Sequence, residues 1–221
     1  MKSKLIVALD VADYQDAVAL IGALRDVVDI FKVGSQLFTR VGPQIVQFLR
    51  SHDKQCFLDL KFHDIPNAVA AAVESAAALP VDMLTVHACG GPEMLKAAAA
   101  VPRRPQLLGV TVLTSVGGEV KEEVRRLAKL AKECGLEGVV ASPQEVRLVR
   151  EAVGKNFLIV TPGIRPAWAE AGDQKRVMTP AEAAAAGADY IVVGRPIVTA
   201  KDPAQAALRV IEEMTSALGS A

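Results

Sequence analysis

The sequence predicts an α/β protein built as a (β/α)8 TIM barrel, a single domain over residues 1–221. Three observations predict it: eight short apolar blocks, amphipathic stretches between them, and no linker or compositional break that would divide the chain. The blocks are LIVAL from Leu5, IFKVG from Ile30, CFLDLK from Cys56, MLTVHA from Met83, LLGVTVL from Leu107, GVVAS from Gly138, FLIVTPG from Phe157 and YIVVG from Tyr190. Each is apolar almost throughout, as parallel strands covered on both faces are, whereas a half-exposed strand would alternate. Eight evenly spaced units favour a closed barrel over an open doubly wound sheet. The chain is close to the lower size of about 200 residues for that fold, which leaves little room for an added domain.

The intervening segments, among them DYQDAVALIGALRDV, SQLFTRVGPQIVQFLRS and KEEVRRLAKLAKECG, carry apolar residues at three- and four-residue spacing and read as amphipathic helices. Three later starts share one chemistry. Ser142-Pro143-Gln144-Glu145, Thr179-Pro180-Ala181-Glu182 and Asp202-Pro203-Ala204-Gln205 each set a capping side chain before a proline, with an acid or amide at the third helical position.

Composition narrows the function. The 25 basic and 25 acidic residues give no net charge, which argues against a general nucleic-acid binder, and 51% hydrophobic residues supply a core. Cys56, Cys89 and Cys134 are too few and too widely spaced for a disulfide framework or a zinc site. The first apolar run, LIVAL, is well short of a signal-peptide core, and no stretch approaches the roughly 18 apolar residues of a membrane span. The expectation is a soluble cytoplasmic protein without nucleic-acid or membrane partners.

In barrels of this kind the working residues stand at the carboxyl ends of the strands. Those ends hold Asp10, Lys32, Asp59 and Lys61, with Asp64 just beyond. Asp59 and Lys61 are two apart on a strand and so are expected to point the same way from a block that is otherwise core. Charges there need partners. They form either a structural ion-pair network or a catalytic array, and their gathering at the catalytic face favours the second. The last strand ends in Gly194-Arg195, where a backbone can approach an anion and a guanidinium can bind phosphate oxygens. The irregular stretch 163–178 is long for a barrel connection and reads as a phosphate-binding lid.

The segment Asp59-Leu60-Lys61-Phe62-His63-Asp64-Ile65-Pro66-Asn67, preceded by Phe31-Lys32-Val33-Gly34, resembles the orotidine 5′-phosphate decarboxylase family, whose motif is D-x-K-x-x-D-I-P-N. The similarity extends through Val86-His87-Ala88, Val110 to Ser115, Thr161 to Pro166, Ala171-Gly172-Asp173-Gln174 and Val193-Gly194-Arg195-Pro196. It implies a carboxy-lyase that converts orotidine 5′-monophosphate to uridine 5′-monophosphate and carbon dioxide without a cofactor or metal, the last step of de novo pyrimidine synthesis. Lys61 is implied as the proton donor to C6, held by Asp59 and Asp64, with Lys32 balancing their charge and contacting the ribose. Asp10 is implied at a ribose hydroxyl, Thr114 at the pyrimidine amide edge, and Arg165, Gln174, Gly194 and Arg195 around the phosphate. The resemblance also implies a homodimer in which Asp64 and Ile65 enter the neighbouring site. Ala68 departs from the family pattern, which has a threonine there.

His52, His63 and His87 show no spacing with carboxylates that recommends a metal site. Two other readings stay open at this level: a sugar-phosphate decarboxylase or synthase that uses magnesium with the same D-x-K-x-x-D, and a silent barrel that binds a nucleotide as a sensor.

Overall fold

Eight parallel strands, β1 (Lys4–Ala8), β2 (Ile30–Gly34), β3 (Gln55–Phe62), β4 (Met83–His87), β5 (Gln106–Val110), β6 (Gly138–Val140), β7 (Leu158–Thr161) and β8 (Tyr190–Val193), pair in chain order and close. Closure is the pairing of β1 with β8, from Lys4 opposite Tyr190 to Val7 opposite Val193, which excludes the open sheet. This computed structural model describes residues 3–116, 118–169 and 178–216. Strand alternation divides the core in two. Ile6, Ala8, Ile30, Phe57, Met83, Leu108, Val160 and Val192 fill the barrel interior. Leu5, Val7, Phe31, Val33, Leu58 and Leu84 face outward and pack under the helices.

The helices are α1 (Tyr14–Leu24), α2 (Ser35–Val41), α3 (Gln44–Ser51), α4 (Pro66–Ala77), α5 (Gly91–Ala99), α6 (Lys121–Glu133), α7 (Val146–Val153), α8 (Pro180–Ala186), α9 (Arg195–Val198) and α10 (Pro203–Ser216). The stretch after β2 breaks into α2 and α3 because Gly42 takes a left-handed φ of 63° and Pro43 has no N–H to continue the ladder. Among the described residues, no helix is long and apolar enough to cross a membrane.

The three expected capping starts differ. Thr179 forms the full box: its hydroxyl accepts from the Glu182 N–H at 3.2 Å, and the Glu182 carboxylate accepts the Thr179 N–H at 2.8 Å. Asp202 accepts the Gln205 N–H at 2.9 Å. Ser142 does not cap. Residues Pro143–Glu145 make a 3-10 turn, α7 begins only at Val146, and the buried Ser142 hydroxyl lines the central cavity. Its position at the mouth of β6 takes it to the cavity wall.

At the opposite rim an acid stands immediately before every second strand from β4 onward. Asp82 accepts the Cys56 N–H at 2.8 Å, Glu137 the Leu107 N–H at 2.7 Å, and Asp189 the Ile159 N–H at 2.8 Å. In each case the donor is the second residue of the preceding strand. Arg104 binds both oxygens of Glu137 at 2.9 and 3.0 Å, and Arg150 binds Asp189 at 2.6 Å while also donating to the carbonyls of Phe157 and Gly187. These carboxylates satisfy strand N–H groups that the ladder leaves open. Asp189→Ala strands both the Ile159 N–H and the Arg150 guanidinium, and a loss of about 3 kcal/mol in urea unfolding is expected. Activity per folded molecule should be unchanged, because the pair lies at the far rim from the strand ends described next.

Candidate active site

The charged side chains at the carboxyl ends of β1, β2 and β3 form one line. Lys61 Nζ donates to Asp59 Oδ2 at 2.7 Å, Lys32 Nζ lies 3.8 Å from the same oxygen, and Lys32 Nζ donates to Asp10 Oδ1 at 3.0 Å. Sign alternates along the line, so every like charge has an opposite neighbour. Its two middle members are well covered, with side-chain exposures of 13% for Lys32 and 12% for Asp59, whereas Lys61 is 35% exposed. Glycines make room for it: a Cβ on Gly34 would come within 3.1 Å of Lys32 Nζ, and one on Gly194 within 3.2 Å of Asp10 Oδ2.

The expected alternation of Asp59 and Lys61 is modified. The register between β3 and β4 shifts between Leu58 and Phe62, and Lys61 takes a left-handed φ of 52°. For a lysine this costs on the order of 1–3 kcal/mol and persists only where neighbours enforce it. Thr85 on β4 does so. Its Oγ1 accepts the Lys61 N–H at 2.8 Å and donates to Asp59 Oδ1 at 2.9 Å. Backbone, threonine, carboxylate and ammonium thus make a closed ring that aims Nζ. Thr85 was not legible beforehand, since a threonine in MLTVHA reads as an ordinary β-branched strand residue.

The array opens into a cavity of about 270 Å³. Asp10, Lys32, Asp59, Lys61, Thr114, Arg165, Gly194 and Arg195 all line it, together with apolar Phe57, Val110, Val140, Ile164 and Val192. Arg165 and Arg195 come from the β7 and β8 ends, across the barrel mouth from Lys61. Ser142 is an unexpected lining residue, its buried hydroxyl without a hydrogen-bond partner among the described residues.

Other expected residues stand elsewhere. Asp64 does not flank Lys61 within the chain: it is exposed, and its Oδ1 accepts the Ile65 N–H at 2.7 Å. The loop after Phe62 carries it away from the cavity and leaves Ile65 68% exposed. Ala68 is exposed in the first turn of α4. Gln174, with Asp173 and most of the expected lid, lies outside the described residues. His87 ends β4 with its ring 5.4 Å from that of His63. Burial, with the charges of His63 and Lys61, lowers its pKa below the ordinary 6.5, while Asp59 opposes the shift. Among the described residues, no group of three or more His, Cys, Asp or Glu side chains could hold a metal ion.

Thr85→Val keeps the shape but removes the two hydrogen bonds that Thr85 makes in the ring. A stability loss of about 1–3 kcal/mol in denaturant unfolding is expected. Turnover should fall at least about tenfold, because Lys61 loses the bond that fixes its backbone. Wild-type turnover in that variant would show that the ring does not aim the amine.

The family model described as "Orotidine 5'-phosphate decarboxylase / HUMPS family" matches residues 3–210. A protein of Syntrophotalea carbinolica named orotidine 5'-phosphate decarboxylase is 52% identical, covering 98% of this chain and 97% of its own. One of the same name from Moorella thermoacetica is 49% identical over 96% of this chain and 92% of its own. Among solved structures, orotidine 5'-phosphate decarboxylase from Lactobacillus acidophilus superposes with a TM-score of 0.83 at 38% identity, covering 96% of this chain and 99% of that one. The enzyme of that name from Pyrococcus horikoshii gives a TM-score of 0.82 at 26% identity, over 96% and 99% of the two chains. A barrel whose charged line falls on the motif residues, matched along nearly its whole length, makes this chain a member of the orotidine 5′-phosphate decarboxylase / HUMPS family.

Proposed function

We propose that the protein decarboxylates orotidine 5′-monophosphate to uridine 5′-monophosphate, as the last step of de novo pyrimidine synthesis. The carrying observation is the cavity itself, with Lys61 of the alternating array at one side and two arginines at the other. That separation suits a ligand with a reactive ring at one end and a phosphate at the other. Loss of carbon dioxide breaks the bond at C6 and leaves its electron pair in the ring plane, outside the π system. Stabilisation must then be electrostatic and already in place. The Lys61 ammonium stands for that charge, and its proton passes to C6, leaving a neutral amine that solvent reprotonates. Asp59 accepts from the ammonium at 2.7 Å, which directs it.

The remaining polar groups divide along the ligand. Asp10 and Lys32 take the ribose hydroxyls. Thr114 faces the amide edge of the pyrimidine, and Ser142, whose buried hydroxyl lacks a protein partner among the described residues, meets a polar atom of the same ring. Gly194, Arg195 and Arg165 hold the phosphate, with Gln174 reaching over it. No step calls for a cofactor or metal. The three free cysteines accord with a reducing cytoplasm.

Asp64 and Ile65 are assigned to the neighbouring subunit's site in a homodimer. Support comes from their placement: both are exposed, away from their own cavity, on a loop directly following the catalytic strand. Ile65, 68% exposed beside the Asp64 carboxylate, is open to contact by a partner.

Protein added to orotidine 5′-monophosphate with chelator present should abolish the substrate absorbance, and Lys61→Ala should leave a folded protein without turnover. Chelator-sensitive activity would point to metal-assisted chemistry, and near-normal kcat in Lys61→Ala would remove the proton donor. Specific activity should fall on dilution as subunits separate, and Asp64→Ala should lower it at all concentrations. Full activity of a monomer would refute the shared site.

A further inference from the structure

The chain leaving β7 holds Arg165 from two sides. On one side, the Arg165 N–H donates to the Met178 carbonyl at 3.0 Å, and Ile164, 1% exposed, bridges to Met178. On the other side the chain turns over residues 166–169, closed by the Ala169 N–H on the Pro166 carbonyl at 2.9 Å. This turn lies against α10, and two side chains of that helix reach it. The Arg209 guanidinium carbon stands 4.3 Å from the ring centroid of Trp168. The Glu213 carboxyl faces the same turn: burial raises its pKa, and the Ala167 backbone and the Arg209 charge oppose the rise. Arg209 and Glu213 are four residues apart and so share one face of the helix.

These contacts serve no core: Trp168 is 36% exposed and Arg209 is exposed. Yet they pin a turn whose first neighbour, Arg165, is 8% exposed and lines the central cavity. Arg165 and Trp168 also share, with Arg195 and Thr199, the wall of an adjoining cavity of about 380 Å³. Arg165 thus stands between the two cavities, with the β-bridge at Ile164 fixing the chain on one side of it and the turn at Trp168 on the other.

We propose that Trp168, Arg209 and Glu213 are positioning residues that hold Arg165 at the phosphate end of the cavity. They act through the short tether from Arg165 to Trp168 and not on the ligand. The inference rests on the phosphate assignment made under Proposed function. Releasing the clamp lets the turn shift and weakens the grip on the phosphate, while the Lys61 array, built on β1 to β4, is undisturbed.

The test compares orotidine 5′-monophosphate with the phosphate-free nucleoside orotidine, using wild type, Arg209→Ala, Arg209→Lys and Glu213→Ala. For the nucleotide, Arg209→Ala and Glu213→Ala should each raise KM about two- to fivefold with little change in kcat, the range expected for an exposed cation over an indole. For the nucleoside, kcat/KM should equal wild type in both variants. Arg209→Lys, which keeps a cation over the ring, should restore most of the nucleotide KM. An equal loss on both substrates would reduce the clamp to general stability, and an unchanged nucleotide KM in both alanine variants would overturn it. Arg195→Ala separates the two levels of inference: it should lower nucleotide kcat/KM by well over tenfold, and if it does not, the phosphate assignment itself is wrong.

Discussion

The carboxylate of Asp59 binds the Lys61 ammonium on one oxygen and the Thr85 hydroxyl on the other, with a second ammonium, Lys32, 3.8 Å away. A carboxylate this covered would be costly alone. Here both oxygens are satisfied, and it is the anion that lets two lysines share one barrel mouth. Without it, Lys32 and Lys61 would face each other as like charges with no anion between them. The left-handed backbone at Lys61 belongs to the same unit, because the threonine that braces the carboxylate also takes the strained residue's N–H. Geometry and charge at this amine are therefore secured by neighbouring strands, with no dependence on a mobile surface side chain.

Much of the fold was legible because each strand is buried on both faces and each helix on one, and these two burials write different periodicities. The array was legible for a related reason: aspartates and lysines interrupting apolar strands at Lys32, Asp59 and Lys61 have no place in a core unless they face a mouth. Boundaries were less so. Asp10 stands two residues beyond the end of β1, and β3 runs on through Phe62.

What escaped the sequence was tertiary in origin. The φ of Lys61 has no local sign, since no glycine or asparagine marks it; it follows from a register shift against β4. Ser142 carries every mark of a helix cap, with Pro143 after it and Glu145 at the third position. The mouth of β6 diverts it into the cavity instead. Asp64 carries the same charge as Asp59, yet within its own chain its carboxylate accepts the Ile65 N–H instead of meeting a lysine. Residue type announces a charge, but the path of the chain decides whom it meets.

The carboxylates before β4, β6 and β8 stitch the strands together two at a time, β3 to β4, β5 to β6 and β7 to β8. These stitches stand at the amino-terminal rim, and the charged line stands at the carboxyl-terminal one. Selection for growth in heat or cold can rework the first without disturbing the second, so lineages living at very different temperatures could keep one chemistry on frames of unequal toughness.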